Sequence, residues 1–163
     1  MVSWFRRDHE PAPGPGARPP AGLPSPETLA AEVFALNRLI NSHAGHLPGR
    51  AVVTARAVTD LLRQILDTAD DGPLDIQALV FVEGTVRDYL PTTLRAYLAL
   101  DPAVVDTART NGATPTQALL DQLTMLRRSA VSTLQAAKDH DVDALLTQGN
   151  FLSTKFSRSD LDL

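Results

Sequence analysis

The sequence predicts an all-α protein: an antiparallel bundle of about four main helices, one of them kinked at Pro91, behind a disordered, proline-rich N-terminus. Three observations indicate this class. From residue 25 onward, apolar residues recur at the three- and four-residue spacing of amphipathic helices. No alternating strand pattern of useful length is present. The 163 residues also suffice for one domain with a buried core, without disulfides.

The N-terminal part of the chain differs in composition from the rest. Seven of the 12 prolines and three of the nine glycines lie in the first 26 residues. Such a stretch can propagate neither a helix nor a strand ladder, and it buries too little apolar surface to offset the entropy of ordering it. We therefore expect a disordered arm at 1–24, a helical domain at 25–157 and a flexible tail at 158–163.

Capping residues mark the first helix. Ser25 is suited to an N-cap, Pro26 to the first helical position and Glu27 to the positive end of the helix dipole, which predicts a helix ending near Ser42. A turn ending at Gly49 separates it from a second helix at about 50–68, and this short connection makes the two antiparallel neighbours. The residues expected on the buried face of the second helix are Val53, Ala57, Val58, Leu61, Ile65 and Leu66.

The third helix passes through a proline. Its apolar positions Val86, Leu90 and Leu94 keep one helical phase on both sides of Pro91. Two independent helices would have no reason to share a phase, so the pattern predicts one kinked helix. Threonines directly after the proline are expected to donate their hydroxyls to the backbone carbonyls that the kink frees.

Two more helix starts follow. Asp101 and Pro102 resemble a cap and first position for a short helix at 102–109. Thr114 and Gln117 have the spacing of a capping box, which predicts a long last helix continuing to about Leu146.

The charge balance excludes one large class of function. The formal net charge is −4 and the pI is near 5.5. Because phosphate neutralisation supplies most of the affinity of nucleic-acid binders, we expect no nucleic-acid partner.

No apolar run approaches the roughly 20 residues that span a bilayer, and no secretory signal is present. We expect a cytoplasmic protein, with peripheral contact at the inner face of the membrane as an alternative.

The first residues contain a small aromatic and basic patch. Trp4, the only tryptophan, and Phe5 are followed by Arg6 and Arg7. Aromatic rings favour the membrane interface and arginines favour anionic headgroups, so this patch is a candidate docking peptide or membrane contact. An incidental disordered terminus is the competing interpretation.

Candidate catalytic groups are scarce. The absence of cysteine excludes disulfides, thiolate metal sites and a cysteine nucleophile. His43 and His46, three residues apart, are weak metal-ligand candidates, and histidines that complement the end of a helix are the ordinary alternative. No serine has a nucleophile-elbow context, and no glycine-rich phosphate loop is present. We expect no catalytic residues and no cofactor.

The most informative stretch is YLPTTL at 89–94. With the basic residue and apolar helix that follow, it resembles the central segment of the 5-bromo-4-chloroindolyl phosphate hydrolysis protein (XpaC-like) family. The motif residues are Tyr89, Leu90, Pro91, Thr92, Thr93 and Leu94. The resemblance covers roughly residues 50–163, and it implies a non-catalytic helical protein associated with toxic-anion (tellurite) resistance proteins of the TelA-like kind. The chain departs from many such proteins in lacking N-terminal membrane segments.

Together these features favour an accessory or scaffold protein that acts through protein–protein contacts, and the resemblance implies a role in a toxic-anion (tellurite) resistance or envelope-stress module. A small phosphatase-like hydrolase or metal-dependent enzyme is the alternative, in keeping with the family's literal name. A membrane-surface adaptor that uses residues 1–7 is a second alternative.

Overall fold

The computed structural model describes residues 22–70, 72–110 and 112–159, with side chains described as far as residue 139. The five α-helices are α1 (Pro26–Ser42), α2 (Gly49–Asp67), α3 (Ile76–Gly84), α4 (Leu90–Leu98) and α5 (Pro115–Ser159). Since α3 and α4 are joined by helical backbone, the chain forms four packed helical segments. The described residues contain no strand, and the predicted all-α class is confirmed.

Side chains cap three of these helices. The Ser25 hydroxyl accepts a hydrogen bond from the Thr28 amide at 3.2 Å, as the sequence predicts for the start of α1. The Thr114 hydroxyl accepts from the Gln117 amide at 3.1 Å at the start of α5. The Gln117 side chain, however, donates forward to Asp121 at 2.9 Å, so only half of the predicted capping box forms. Asp75 caps α3 in the same way as Ser25 caps α1.

One apolar core joins all the helices. Its fully buried large side chains are Leu29, Ile40, Val58, Leu62, Ile65, Val82, Leu90, Leu94 and Leu123. The expected position of Val53 on the buried face of α2 is wrong, because its side chain is 68% exposed. The buried stripe instead follows Ala51, Ala55, Val58 and Leu62, whose spacing leaves Val53 on another face of the helix.

The predicted helix at 102–109 does not form. The Asp101 carboxylate accepts a hydrogen bond from the Ala103 amide at 2.9 Å, which closes a turn two residues long, and turns continue to residue 106. Val104 is exposed and Val105 is half-buried. A segment this short needs a packed apolar face to remain helical, and of its two valines only Val105 packs against the core.

The last helix is longer than the sequence indicates. It continues past the expected end near Leu146 to Ser159. Within it, the Asp139 carboxylate accepts a hydrogen bond from the Gln135 side chain one turn earlier, at 2.9 Å. Residues 158 and 159 of the expected flexible tail are helical, and 160–163 lie outside the described residues, as does almost all of the expected N-terminal arm.

In the described part of the chain, no helix is both long enough and apolar enough to cross a membrane.

A bidentate ion pair fastens α1 to the segment between α3 and α4. Arg87 donates from Nε and Nη2 to the two oxygens of Glu32, each at 2.8 Å, and from Nη1 to Glu83 at 2.6 Å. The hydrogen bonds from Arg87 hold the pKa of Glu32 below its ordinary value.

The lowered pKa of Glu32 gives a test by pH. A carboxyl group whose pKa is lower in the folded chain than in the unfolded chain stabilises the folded state. This stabilisation is complete above the pKa of the unfolded chain, about 4.5, and is lost as the pH falls through the pKa of the folded chain. Glu32→Gln should therefore cost up to ~1 kcal/mol of unfolding free energy at pH 7, and the difference from the parent chain should shrink as the pH falls below about 4.5. Urea titrations at several pH values measure it. Asp106→Asn, at an exposed turn, should behave as the parent does; an equal loss in both variants would contradict the assignment to Glu32.

Candidate functional site: an aromatic groove beside a π turn

The helix that carries the proline is continuous, as predicted, but it contains a π turn. Residues Thr85–Tyr89 form this turn, and the Leu90 amide donates to the Thr85 carbonyl five residues earlier. Proline has no amide hydrogen, and its ring would collide with the carbonyl four residues before it in a regular α-helix. The wider turn just ahead of Pro91 relieves that conflict while the chain remains helical. Such turns are frequent at functional sites.

The π turn determines how the YLPTTL residues are distributed. Leu90, Pro91 and Leu94 are buried, so they belong to the core. Tyr89 is 61% exposed, and its ring lies over Gly84, where even a Cβ atom would come within 3.4 Å of the ring. The motif therefore has a core face and a surface face.

The expected role of Thr92 is wrong. Its hydroxyl donates to the Asp88 carboxylate at 3.1 Å and not to a backbone carbonyl. The reason is local, since Asp88 lies one turn earlier on the same exposed face and is a stronger acceptor than a carbonyl. Thr93, by contrast, is half-buried and lines a groove.

This groove has a volume of about 430 Å³ and lies between α5 and the helix formed by α3, the π turn and α4. We call it the aromatic groove. Its lining residues are Phe81, Tyr89, Thr93, Gln122, Met125, Leu126 and Ser129. Met125 is 69% exposed at its edge, and Phe81 packs against the core.

The aromatic groove continues into a second depression of about 260 Å³ along the same two helices, which shares Thr93 and Gln122 with it. Near its far end the Tyr97 hydroxyl is hydrogen-bonded to the Thr116 hydroxyl at 3.0 Å, which ties α4 to the first turn of α5. Along α5 the two depressions extend from Pro115 to Ser129, about 21 Å at the helical rise. A helix or an extended peptide of several residues fits this length.

Acidic and basic residues lie beside different parts of the aromatic groove. Asp88 precedes Tyr89 and Asp121 precedes Gln122, and both carboxylates are exposed. Arg127 and Arg128 are exposed at the end near Ser129. A basic partner group is therefore favoured toward the Gln122 end of the groove and disfavoured at its Ser129 end.

Convergent acids, bases or ligands are not found at this site. Among the described residues, no group of three or more His, Cys, Asp or Glu side chains could hold a metal ion. Of the two weak metal candidates, His43 Nδ1 lies 3.0 Å from both the Leu39 carbonyl and the Ser42 hydroxyl at the end of α1. His46 is exposed in the next turn, where its amide donates to the His43 carbonyl at 2.9 Å. The aromatic groove offers apolar contact area and a few hydrogen-bonding groups.

Sequence reasoning identified Tyr89 and Thr93 but missed Phe81 and Met125. A signal for both exists. Met125 lies one position before Leu126, outside the apolar stripe of α5, and Phe81 lies between the stripe residues of α3. Large apolar side chains that are out of phase with the buried stripes of two neighbouring helices and that line one groove are candidate contact residues, whereas a single one is ordinary. The remaining site candidates, Trp4, Phe5, Arg6 and Arg7, lie outside the described residues.

A buried hydroxyl in the π turn gives a second test. Thr85 is fully buried, and among the described side chains its Oγ1 is the buried polar atom without a hydrogen-bond partner. Thr59 is equally buried, but its hydroxyl donates to the Arg56 carbonyl at 2.8 Å. An unsatisfied buried group costs about 1–3 kcal/mol, whereas a satisfied one contributes about 1.

Thr85→Val should thus raise the unfolding free energy by ~1 kcal/mol, and Thr59→Val should lower it by ~1 kcal/mol. Urea denaturation of both variants gives the comparison. Equal losses in the two would mean that Thr85 has a partner and that the π turn stores no such cost.

Comparison of the chain with protein-family models, with curated proteins and with solved structures finds no match.

Proposed function

We propose that this chain is a non-catalytic helical accessory protein that binds another protein through the aromatic groove. The observation that carries the proposal is the exposure of Tyr89 and Met125 on the two walls of one apolar groove. Large exposed apolar side chains that are grouped in this way are typical of interaction sites, whereas single ones are ordinary.

The form of the groove favours a helical or extended peptide segment as the bound element. Grooves between two helices receive the apolar face of an amphipathic helix, with anchors spaced by three and four residues. The α5 wall contributes Gln122, Met125 and Ser129 at this spacing, so a helix laid along it would meet contacts on each turn. Aromatic residues and methionine are enriched in the centres of such interfaces.

The resemblance to the XpaC-like family supports a narrower proposal. In that case the partner is a toxic-anion resistance protein of the TelA-like kind, and the protein works as its accessory. Tyr89 and Thr93 of the resembling motif line the groove, so the motif contributes directly to the proposed contact surface.

Quantitative affinity purification tests the proposal. The tagged full chain is used as bait in the organism that encodes it, beside Met125→Glu and Val53→Glu, which place the same charge at two similarly exposed positions. A partner that contacts the groove should be recovered with the parent chain and with Val53→Glu but lost with Met125→Glu. Recovery that is equal with all three baits would contradict the proposal, as would turnover of indolyl or nitrophenyl phosphate by the purified chain.

A further inference from the structure

We propose that the aromatic groove is covered by the chain's own N-terminal segment, with Trp4 and Phe5 docked intramolecularly between Tyr89 and Met125. The segment then regulates the groove by competing with the external partner. The competition with a partner rests on the proposed function, whereas the docking of the segment can be tested without a partner.

The first argument is chemical. The groove walls present Phe81, Tyr89 and Met125, which suit aromatic side chains through ring–ring and sulfur–ring contacts. The chain itself contains an adjacent aromatic pair outside the described residues, at positions 4 and 5.

The second argument is the length of chain between the segment and the bundle. Residue 25 lies about 10 Å along α1 from Glu32, which contacts Arg87 two residues before Tyr89. Adjacent helix axes are about 8–10 Å apart, so the Tyr89 wall of the groove lies within about 20 Å of the start of α1 and its α5 wall within about 30 Å. The 16 residues 6–21 include five prolines, and a chain of this length spans about 20–24 Å as a random coil and up to about 50 Å as an extended polyproline helix. These spans are long enough to reach the groove, so docking is an intramolecular event with an effective concentration as high as the millimolar range.

The third argument is charge. Arg6 and Arg7 directly follow the aromatic pair, and the exposed residues Asp88 and Asp121 precede Tyr89 and Gln122 of the groove lining. Among the described residues neither aspartate makes a salt bridge. Docking with the arginines toward these carboxylates keeps them away from Arg127 at the other end, so the charges favour one direction of binding.

Trp4 is the only tryptophan, so the intact protein carries its own probe. In the native full chain its emission should be shifted to shorter wavelength and should be less quenched by acrylamide than in the urea-unfolded chain. Met125→Glu should move both properties to the values of the unfolded chain, while Val53→Glu should leave them unchanged. Thermal melts followed by circular dichroism confirm that each variant remains folded.

Three outcomes would overturn the proposal: native Trp4 as accessible to acrylamide as in the unfolded chain, no response to Met125→Glu, or emission that changes as the protein is diluted. The last would mean that the segment docks on a second copy of the chain. As an independent arm, a labelled peptide of residues 1–10 should bind the full-length Trp4→Ala/Phe5→Ala chain and should fail to bind once Met125→Glu is added.

The consequence for partner binding separates this inference from the proposed function. If the segment occupies the groove about nine-tenths of the time, Trp4→Ala/Phe5→Ala should tighten the apparent Kd for the partner by about tenfold. A partner that binds through Met125 while Trp4 shows no docking would refute the inference and leave the proposed function standing. Docked Trp4 without a Met125-dependent partner would refute the proposed function alone.

Discussion

Replacing Leu90 with alanine should destabilise the protein by about 3 kcal/mol, within the 2–5 kcal/mol that buried leucines generally cost when truncated. Leu90 is fully buried, and it follows the π turn directly. The loss is a large part of a total stability of ~5–15 kcal/mol. In urea denaturation the midpoint should fall while the slope remains unchanged.

Met125→Ala is the matched control for this loss. Its side chain is exposed, so the unfolding free energy should change by no more than ~0.5 kcal/mol. A cost below 1 kcal/mol for Leu90→Ala would mean that the core does not close around the proline-containing helix as described.

Met125→Glu should leave the unfolding free energy unchanged but weaken the binding of the partner, in contrast to Leu90→Ala. A glutamate at the edge of the aromatic groove would have to be desolvated when a partner covers it. Interface residues that carry much of the binding energy cost 2 kcal/mol or more when disrupted, which corresponds to a Kd raised by about 30-fold. Isothermal titration calorimetry with the purified partner measures this.

Val53→Glu provides the comparison for that titration, since it adds the same charge at an equally exposed site on α2. It should leave the Kd unchanged. An equal loss of affinity in both variants would indicate a long-range charge effect, and no loss in either would place the partner on another surface.

The sequence predicts those features of the structure that are determined by residues close together along the chain. The start of α1 follows from Ser25 and Pro26, and the continuity of the helix through Pro91 follows from the phase of its apolar residues, because both are set within a few turns of chain. The π turn could not be predicted from phase alone. It shifts the hydrogen bonds by one residue while the core residues on both sides remain buried.

The failures concern non-local packing. The position of Val53 is wrong because the helices packed against α2 determine which of its faces is buried. The buried face is the one with Ala51 and Ala55, whose small side chains allow another helix to approach closely. The α5 wall of the aromatic groove escaped prediction for the same reason. Which side of α5 remains uncovered, and hence that Met125 faces Tyr89, depends on how four helical segments pack together.

The central claim is that the aromatic groove is the contact surface. A photo-crosslinking amino acid placed at position 125 of the full chain, and at position 53 as the control, tests it most directly in living cells. The account predicts a covalent adduct with a single partner protein at position 125 and none at position 53, with the crosslinked partner peptide apolar and identifiable by mass spectrometry. Adducts of equal yield at both positions, or none at position 125, would contradict it.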